Sequence, residues 1–181
     1  MRTKLGVMGS AAPDSARLDS GRILVEKAEQ LANAIAKRDV VLFTGATTGL
    51  VYVVGKTAHD AGCFHVGISP ASNELEHREL YHLPLDACDT IIYTGFGLKG
   101  RNVVLVRSCE IVLFVAGAMG SLNEFTIAHD EGKIIGCLTE TGGVADESEF
   151  LLQKFGKRAT ASRVFTSSNP NELIDKCLQS I

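Results

Sequence analysis

Three short stretches of this sequence gather small residues where a phosphate could be held. They are Gly9-Ser10-Ala11-Ala12, Thr44-Gly45-Ala46-Thr47-Thr48-Gly49 and Ala116-Gly117-Ala118-Met119-Gly120-Ser121. Each follows a short apolar run, and the second and third lead into helical segments. A helix start offers unpaired N–H groups and a partial positive charge, and small side chains let an anion approach both. One such loop is usually a tight turn; three at the same edge of one sheet would form a ligand site. No G-x-G-x-x-G follows the first apolar run and no acidic residue ends the second, which disfavours an ordinary dinucleotide dehydrogenase. No G-x-x-x-x-G-K-[ST] occurs either, so the chain is not a P-loop nucleotidase. The histidines are scattered without metal-ligand spacing, and no metal is expected.

The segments between these loops must place them. Leu5–Gly9 reads as a buried strand, and Arg22–Arg38 as an amphipathic helix that Asp19 or Ser20 can cap. Val40–Phe43 is a second strand, Gly49–Ala61 a helix ended at Gly62, and Phe64–Ile68 a third strand. Thr90–Tyr93 is a fourth, after a polar stretch from Ser72 to Asp89 that is long for a plain connection and reads as lid-like. Arg101–Ser108 fits a short helix, and Ile111–Val115 is the strongest strand signal. Ser121–Glu131 is helical, Ile134–Leu138 a strand, Phe150–Phe155 helical and Arg163–Phe165 a further strand. The last helix has Asn169 as cap, Pro170 at its first position and Glu172 three residues after the cap. Unbroken apolar runs alternating with helices predict one α/β domain over residues 1–181. It is a Rossmann-like, doubly wound, mostly parallel sheet with helices on both faces. In such a sheet ligands bind beyond the carboxyl ends of the strands, where the three loops fall.

Composition narrows the function. The chain has 181 residues and a net charge of -3, and it contains no basic run. A protein that neutralises a nucleic-acid backbone needs a stripe of Lys and Arg, so no nucleic-acid partner is expected. No apolar run approaches the ~20 residues of a membrane span, and the N-terminal apolar stretch is too short for a signal peptide, so no membrane partner is expected. Five cysteines, with no CxxC pair, read as buried free thiols in a reducing, cytoplasmic setting.

A resemblance sharpens this reading. Gly117-Ala118-Met119-Gly120-Ser121-Leu122-Asn123-Glu124 resembles the PGGxGTxxE signature of the Lonely Guy phosphoribohydrolases, long described as lysine-decarboxylase-like and part of the SLOG superfamily. Thr44-Gly45-Ala46-Thr47-Thr48-Gly49-Leu50 is similar to that family's GGGxxGLM loop. Thr94-Gly95-Phe96-Gly97-Leu98-Lys99-Gly100-Arg101-Asn102 is similar to the TGxxxxRN segment of a bacterial branch of nucleotide-binding members. The similarity runs from Leu5 to about Leu138. Ala116 stands where the family has Pro, Ala118 at its second Gly, Ser121 at its Thr, and Asn123 at the first of its two carboxylates.

The resemblance implies cleavage of a nucleoside 5′-monophosphate to base and ribose 5-phosphate, with Arg101 and Glu124 as the catalytic pair and no cofactor. A carboxylate near the ribose can stabilise an oxocarbenium-like state and activate water. Arginine can hold phosphate or ribose oxygens bidentately. Gly9, Ser10, Thr44, Gly45, Thr47, Thr48, Gly49, Thr94, Gly95, Asn102, Gly117, Ala118, Met119, Gly120 and Ser121 are the expected ligand contacts, with Ser121 and its loop on the phosphate. Bland alternatives stand beside these roles. Ser121-x-x-Glu124 is also a capping box, Arg101 also reads as a solvated helix start, and Asn102 and Asn123 read equally as caps. Molybdenum-cofactor carrier proteins resemble the same loops, so a non-catalytic carrier of a nucleotide or molybdopterin-type cofactor is the second expectation. Single-stranded DNA handling, seen in distant relatives, is disfavoured by the negative charge. A homo-oligomer, at least a dimer, is expected from the resemblance. The apolar circumference of the Gly49–Ala61 helix supports it, since such a helix needs cover on more than one side.

Overall fold

A computed structural model describes residues 1–11 and 19–181. The described residues form seven strands: β1 (Thr3–Gly9), β2 (Val40–Thr44), β3 (His65–Ser69), β4 (Thr90–Tyr93), β5 (Ile111–Val115), β6 (Ile134–Leu138) and β7 (Arg163–Ser167). The helices are α1 (Asp19–Ala36), α2 (Gly49–Asp60), α3 (Glu74–Glu79), α4 (Gly97–Arg107), α5 (Met119–Asp130), α6 (Gly143–Phe155) and α7 (Pro170–Leu178). The strands make one sheet in the order β4-β3-β2-β1-β5-β6-β7, and every pairing is parallel. This is the Rossmann-like α/β fold. Ala12 and the capping side chains of Asp19 and Ser20 lie outside the described residues.

β5 shows why its residues form a central strand. All five are buried, and they alternate between two cores. Ile111, Leu113 and Val115 pack with α1, α2 and α7; Val112 and Phe114 pack with α4, α5 and α6. A strand covered on both faces has no solvent side and so reads as an unbroken apolar run. Phe114 meets Phe125 of α5 edge-on, with ring centroids 5.5 Å apart. The apolar girth of α2 is satisfied largely inside the chain, because Leu50, Val54 and Ala58 join the core that α1 covers. Its circumference therefore does not by itself require a second copy.

Three of the boundaries that differ from the sequence reading matter for function. α4 begins at Gly97 rather than Arg101, and α5 begins at Met119 rather than Ser121. In both cases glycines made the first turn look like loop. α6 begins at Gly143, where Gly142 and Gly143 both have positive φ. The polar segment after β3 contains α3 and is tied down. His77, buried, bonds Ser69 Oγ through Nδ1 at 2.8 Å and the Pro84 carbonyl through Nε2 at 3.1 Å. α7 starts as expected, with Asn169 Oδ1 accepting from the N–H groups of Asn171 and Glu172. The five cysteines are free, and all but Cys88 are buried.

Candidate functional site

The strand order reverses direction between β1 and β5, so the loops leaving these strands part and open a crevice. A cleft of about 260 Å³ lies there. Gly9 and Ser10 after β1, and Gly45 and Thr47 after β2, form one wall. Ala118, Gly120, Ser121 and Glu124 of the α5 start form another, and Arg101 and Asn102 of α4 close it. Ten expected site residues thus share one cavity.

The remaining expected contacts hold the walls instead of lining the cleft. Thr44 is buried, with Oγ1 2.8 Å from Nε2 of His65. Burial holds His65 at a pKa of about 4, well below its usual value, so the ring is neutral and serves as a strut. Thr48 donates to the Ala11 carbonyl at 2.6 Å, and Gly49, at φ +69°, passes so close beneath Ser10 and Ala11 that a side chain there would collide with them. The second loop therefore supports the first. Thr94 and Gly95 follow β4 at the sheet edge, where Thr94 Oγ1 donates to the Ser69 carbonyl at 2.7 Å. Gly117 turns its carbonyl to the α6 start, accepting from Val144 N at 3.0 Å. Met119 is 75% exposed.

The centre of the site is a charged pair. Arg101 Nη1 and Glu124 Oε1 are 3.8 Å apart, and their side chains are only 8% and 9% exposed. Gly45 permits this, because a Cβ there would overlap the guanidinium. Arg101 Nε is buried with no hydrogen-bond partner among the described residues. With its amide nitrogen turned from Asn123 to Glu124, Asn102 donates to Glu124 Oε1 at 3.1 Å and to the Leu98 carbonyl at 3.0 Å. Burial pushes the Glu124 carboxyl up to about 7, against the opposing pull of Arg101 and Lys99. Burial likewise lowers Arg101, with Glu124 opposing.

The capping-box reading of Ser121 and Glu124 is corrected here. The cap position of α5 is Ala118, so Ser121 is the third residue of the helix and not its cap. Its hydroxyl donates to the Gly9 carbonyl at 3.0 Å, tying α5 to β1. That also removes its proton from ligand binding. The solvated reading of Arg101 fails because the residue is 6% exposed. The first α5 hydrogen bond is Leu122 N to the Ala118 carbonyl, which leaves the N–H groups of Met119, Gly120 and Ser121 without an intrahelical acceptor. Lys99 is the charged lining residue that the sequence reading missed, beside apolar ones such as Leu98 and Val51. Its signal was the i, i+3 spacing to Asn102, which puts both on one helical face once α4 is known to start at Gly97.

The buried pair gives a stability signature. Glu124 is raised from 4.5 to about 7 in the folded chain, so its contribution is fully present below pH 4.5 and is lost as pH rises through 7. At 1.36 kcal/mol per unit the loss approaches roughly 3 kcal/mol. Glu124→Gln is therefore expected to be more stable than the parent at pH 8 and nearly equal at pH 4.5. Urea unfolding at the two pH values checks this, and equal stability differences would refute it.

Comparison with known proteins agrees with this architecture. The chain is 30% identical over 135 residues to an uncharacterized protein of Archaeoglobus fulgidus, covering 75% of this chain and 79% of that one. The crystal structure of TM1055 superposes with a TM-score of 0.82 at 22% identity over 99% of both chains. The molybdenum cofactor binding protein of Rippkaea orientalis superposes at 0.72 with 25% identity, over 99% of this chain and 97% of that one. Residues 2–174 match the SLOG cluster4 family. With its Rossmann-like sheet and the glycine-rich cleft at the switch point, the chain belongs to the SLOG cluster4 family.

Proposed function

We propose that the cleft binds a nucleoside 5′-monophosphate and hydrolyses its N-glycosidic bond. The observation that carries this reading is Glu124, the one carboxylate that lines the cleft among the described residues, buried against Arg101. A buried ion pair contributes little net stability, and a carboxylate in an anion-binding cleft opposes binding. Its presence there fits chemistry better than packing. A pKa near 7 also suits a proton-transferring group.

In this mechanism the 5′-phosphate sits at the N-terminus of α5, against the free N–H groups and the positive end of the helix. The ribose lies over Glu124 and Arg101. As the C1′–N bond breaks, its electron pair leaves with the base, which takes up a proton. Ionised Glu124 stabilises the cationic ribose and accepts a proton from the water that attacks C1′. The products are the free base and ribose 5-phosphate. Arg101 Nε, otherwise unpaired, donates to a sugar hydroxyl.

A second reading is supported by Asn123, which replaces a carboxylate of the family's pair, and by the likeness to the Rippkaea orientalis protein. The cleft donors suit the phosphate end of a molybdopterin-type cofactor, and among the described residues no Cys or His side chain lines the cleft to meet its metal. When bound, such a group would be cargo, held by the same α5 turn.

Both readings require a phosphate anchor. AMP is expected to raise the melting temperature well above the effect of adenosine at equal concentration, by mass action. Equal shifts would refute the anchor. Chromatography of the incubated mixture then separates the readings, since released adenine supports hydrolysis. Tight binding without release of base from AMP, GMP, CMP or UMP would replace the enzyme with the carrier.

A further inference from the structure

We infer that Lys99, not Arg101, supplies the counter-charge for the ligand's phosphate; this rests on the phosphate-binding reading above. The two cations of the cleft are placed differently. Arg101 is enclosed, with Gly45 against its guanidinium and Glu124 3.8 Å away. Its charge is already opposed by a carboxylate on α5. A dianion brought to the same spot would meet Glu124 as well, and the repulsion would offset the attraction.

Lys99 is less restrained: Glu124 feels its charge, but more weakly than that of Arg101. It is exposed and has no carboxylate within ion-pair distance among the described residues. Its ammonium lies over the first turn of α5, 3.7 Å from where a Cβ on Gly120 would stand. Gly120 puts no side chain between Lys99 Nζ and the free N–H groups of Met119, Gly120 and Ser121. A phosphoryl group fits the chemistry of that space: three donors and a helix terminus on one side, an exposed ammonium on the other. Arg101, which lines the cleft, also keeps an unmet donor in its buried Nε. It calls for a neutral acceptor, such as a sugar hydroxyl, beside the phosphate. One ligand with a phosphate and an adjoining sugar satisfies both cations, each with the partner its surroundings allow.

Ribose 5-phosphate, which lacks a base, is the probe, and calorimetric titration the measurement. Lys99→Met is expected to weaken its binding by about tenfold or more, the effect of one hydrogen bond to a charged group. Lys99→Arg should restore most of the affinity, and Lys99→Met should leave adenosine binding unchanged. Lys99 is exposed on α4, so neither variant should disturb folding, and thermal unfolding without ligand verifies that. If Lys99→Met binds ribose 5-phosphate as the parent does, the assignment is overturned while phosphate binding at the cleft stands. If the parent protein binds neither AMP nor ribose 5-phosphate, both this assignment and the reading beneath it are overturned.

Discussion

Glu124→Gln is expected to slow release of base from a nucleoside monophosphate by about 100- to 1,000-fold, on the order of 3–4 kcal/mol of barrier. Nucleotide binding should change far less. The asymmetry follows from when the charge is needed. In the ground state the ribose is neutral, and Glu124 offers it little. As the C1′–N bond stretches, positive charge grows on the ring, and only then does an anion beneath it matter. Gln keeps the size and can still accept from Asn102, but carries no charge and takes no proton. The parent rate should also rise with pH through about 7, where Glu124 ionises, and the variant's residual rate should be flat in that range. Arg101→Ala differs in kind. It removes a ground-state contact and leaves Glu124 buried without its cation, so binding and turnover fall together. Initial rates of base release at several substrate concentrations, for both variants, test the scheme. Glu124→Gln turnover within threefold of the parent would remove Glu124 from the chemistry.

The sheet was legible because each strand run is short, apolar and followed by a punctuated helix. Ile111–Val115 was read to the residue, since both of its faces are buried and nothing polar blurs its ends. The first turns of α4 and α5 were not legible. Gly97, Gly100 and Gly120 lower helix propensity, and tertiary contacts override it. Gly100 lies under Phe96, close enough that a Cβ would press on its side chain. That two-residue error on α5 made Ser121 look like a cap, and the four-residue error on α4 hid Lys99. The encounter of Arg101 with Glu124 was expected only from the resemblance, because α4 and α5 start 22 residues apart in the chain and meet only on folding side by side. What no sequence pattern marks is which small residue faces a ligand and which a neighbouring loop. Gly45 and Gly117 look alike in the sequence. One makes room for a guanidinium, and the other turns its carbonyl to α6.

Ala116→Pro, which would introduce the proline of the Lonely Guy signature that this loop resembles, is expected to destabilise this chain by about 4 kcal/mol or more, from an incompatible φ and a lost buried hydrogen bond. Ala116 has φ +53°, a left-handed conformation that proline's ring, fixed near −65°, cannot adopt. Its N–H also donates to Thr141 Oγ1 at 2.8 Å, and proline has no such hydrogen. Thr141 is buried, and its hydroxyl donates in turn to the Leu138 carbonyl at 2.6 Å. The damage would spread, because the Ala116 carbonyl accepts from Ala145 N at 3.1 Å and the Gly117 carbonyl from Val144 N at 3.0 Å. These bonds fasten the loop after β5 to the start of α6, and through it they set where α5 begins. Such a loss is a large fraction of the ~5–15 kcal/mol that holds a typical domain together. Ala116→Gly separates the two causes, since glycine accepts the positive φ and keeps the N–H. It should stay within about 1 kcal/mol of the parent, the relief of strain offsetting the lost methyl and the added chain entropy. Urea denaturation of both variants decides the matter. A proline variant as stable as the parent would mean that this loop adopts a proline-compatible path, and that the first turn of α5 is shaped differently.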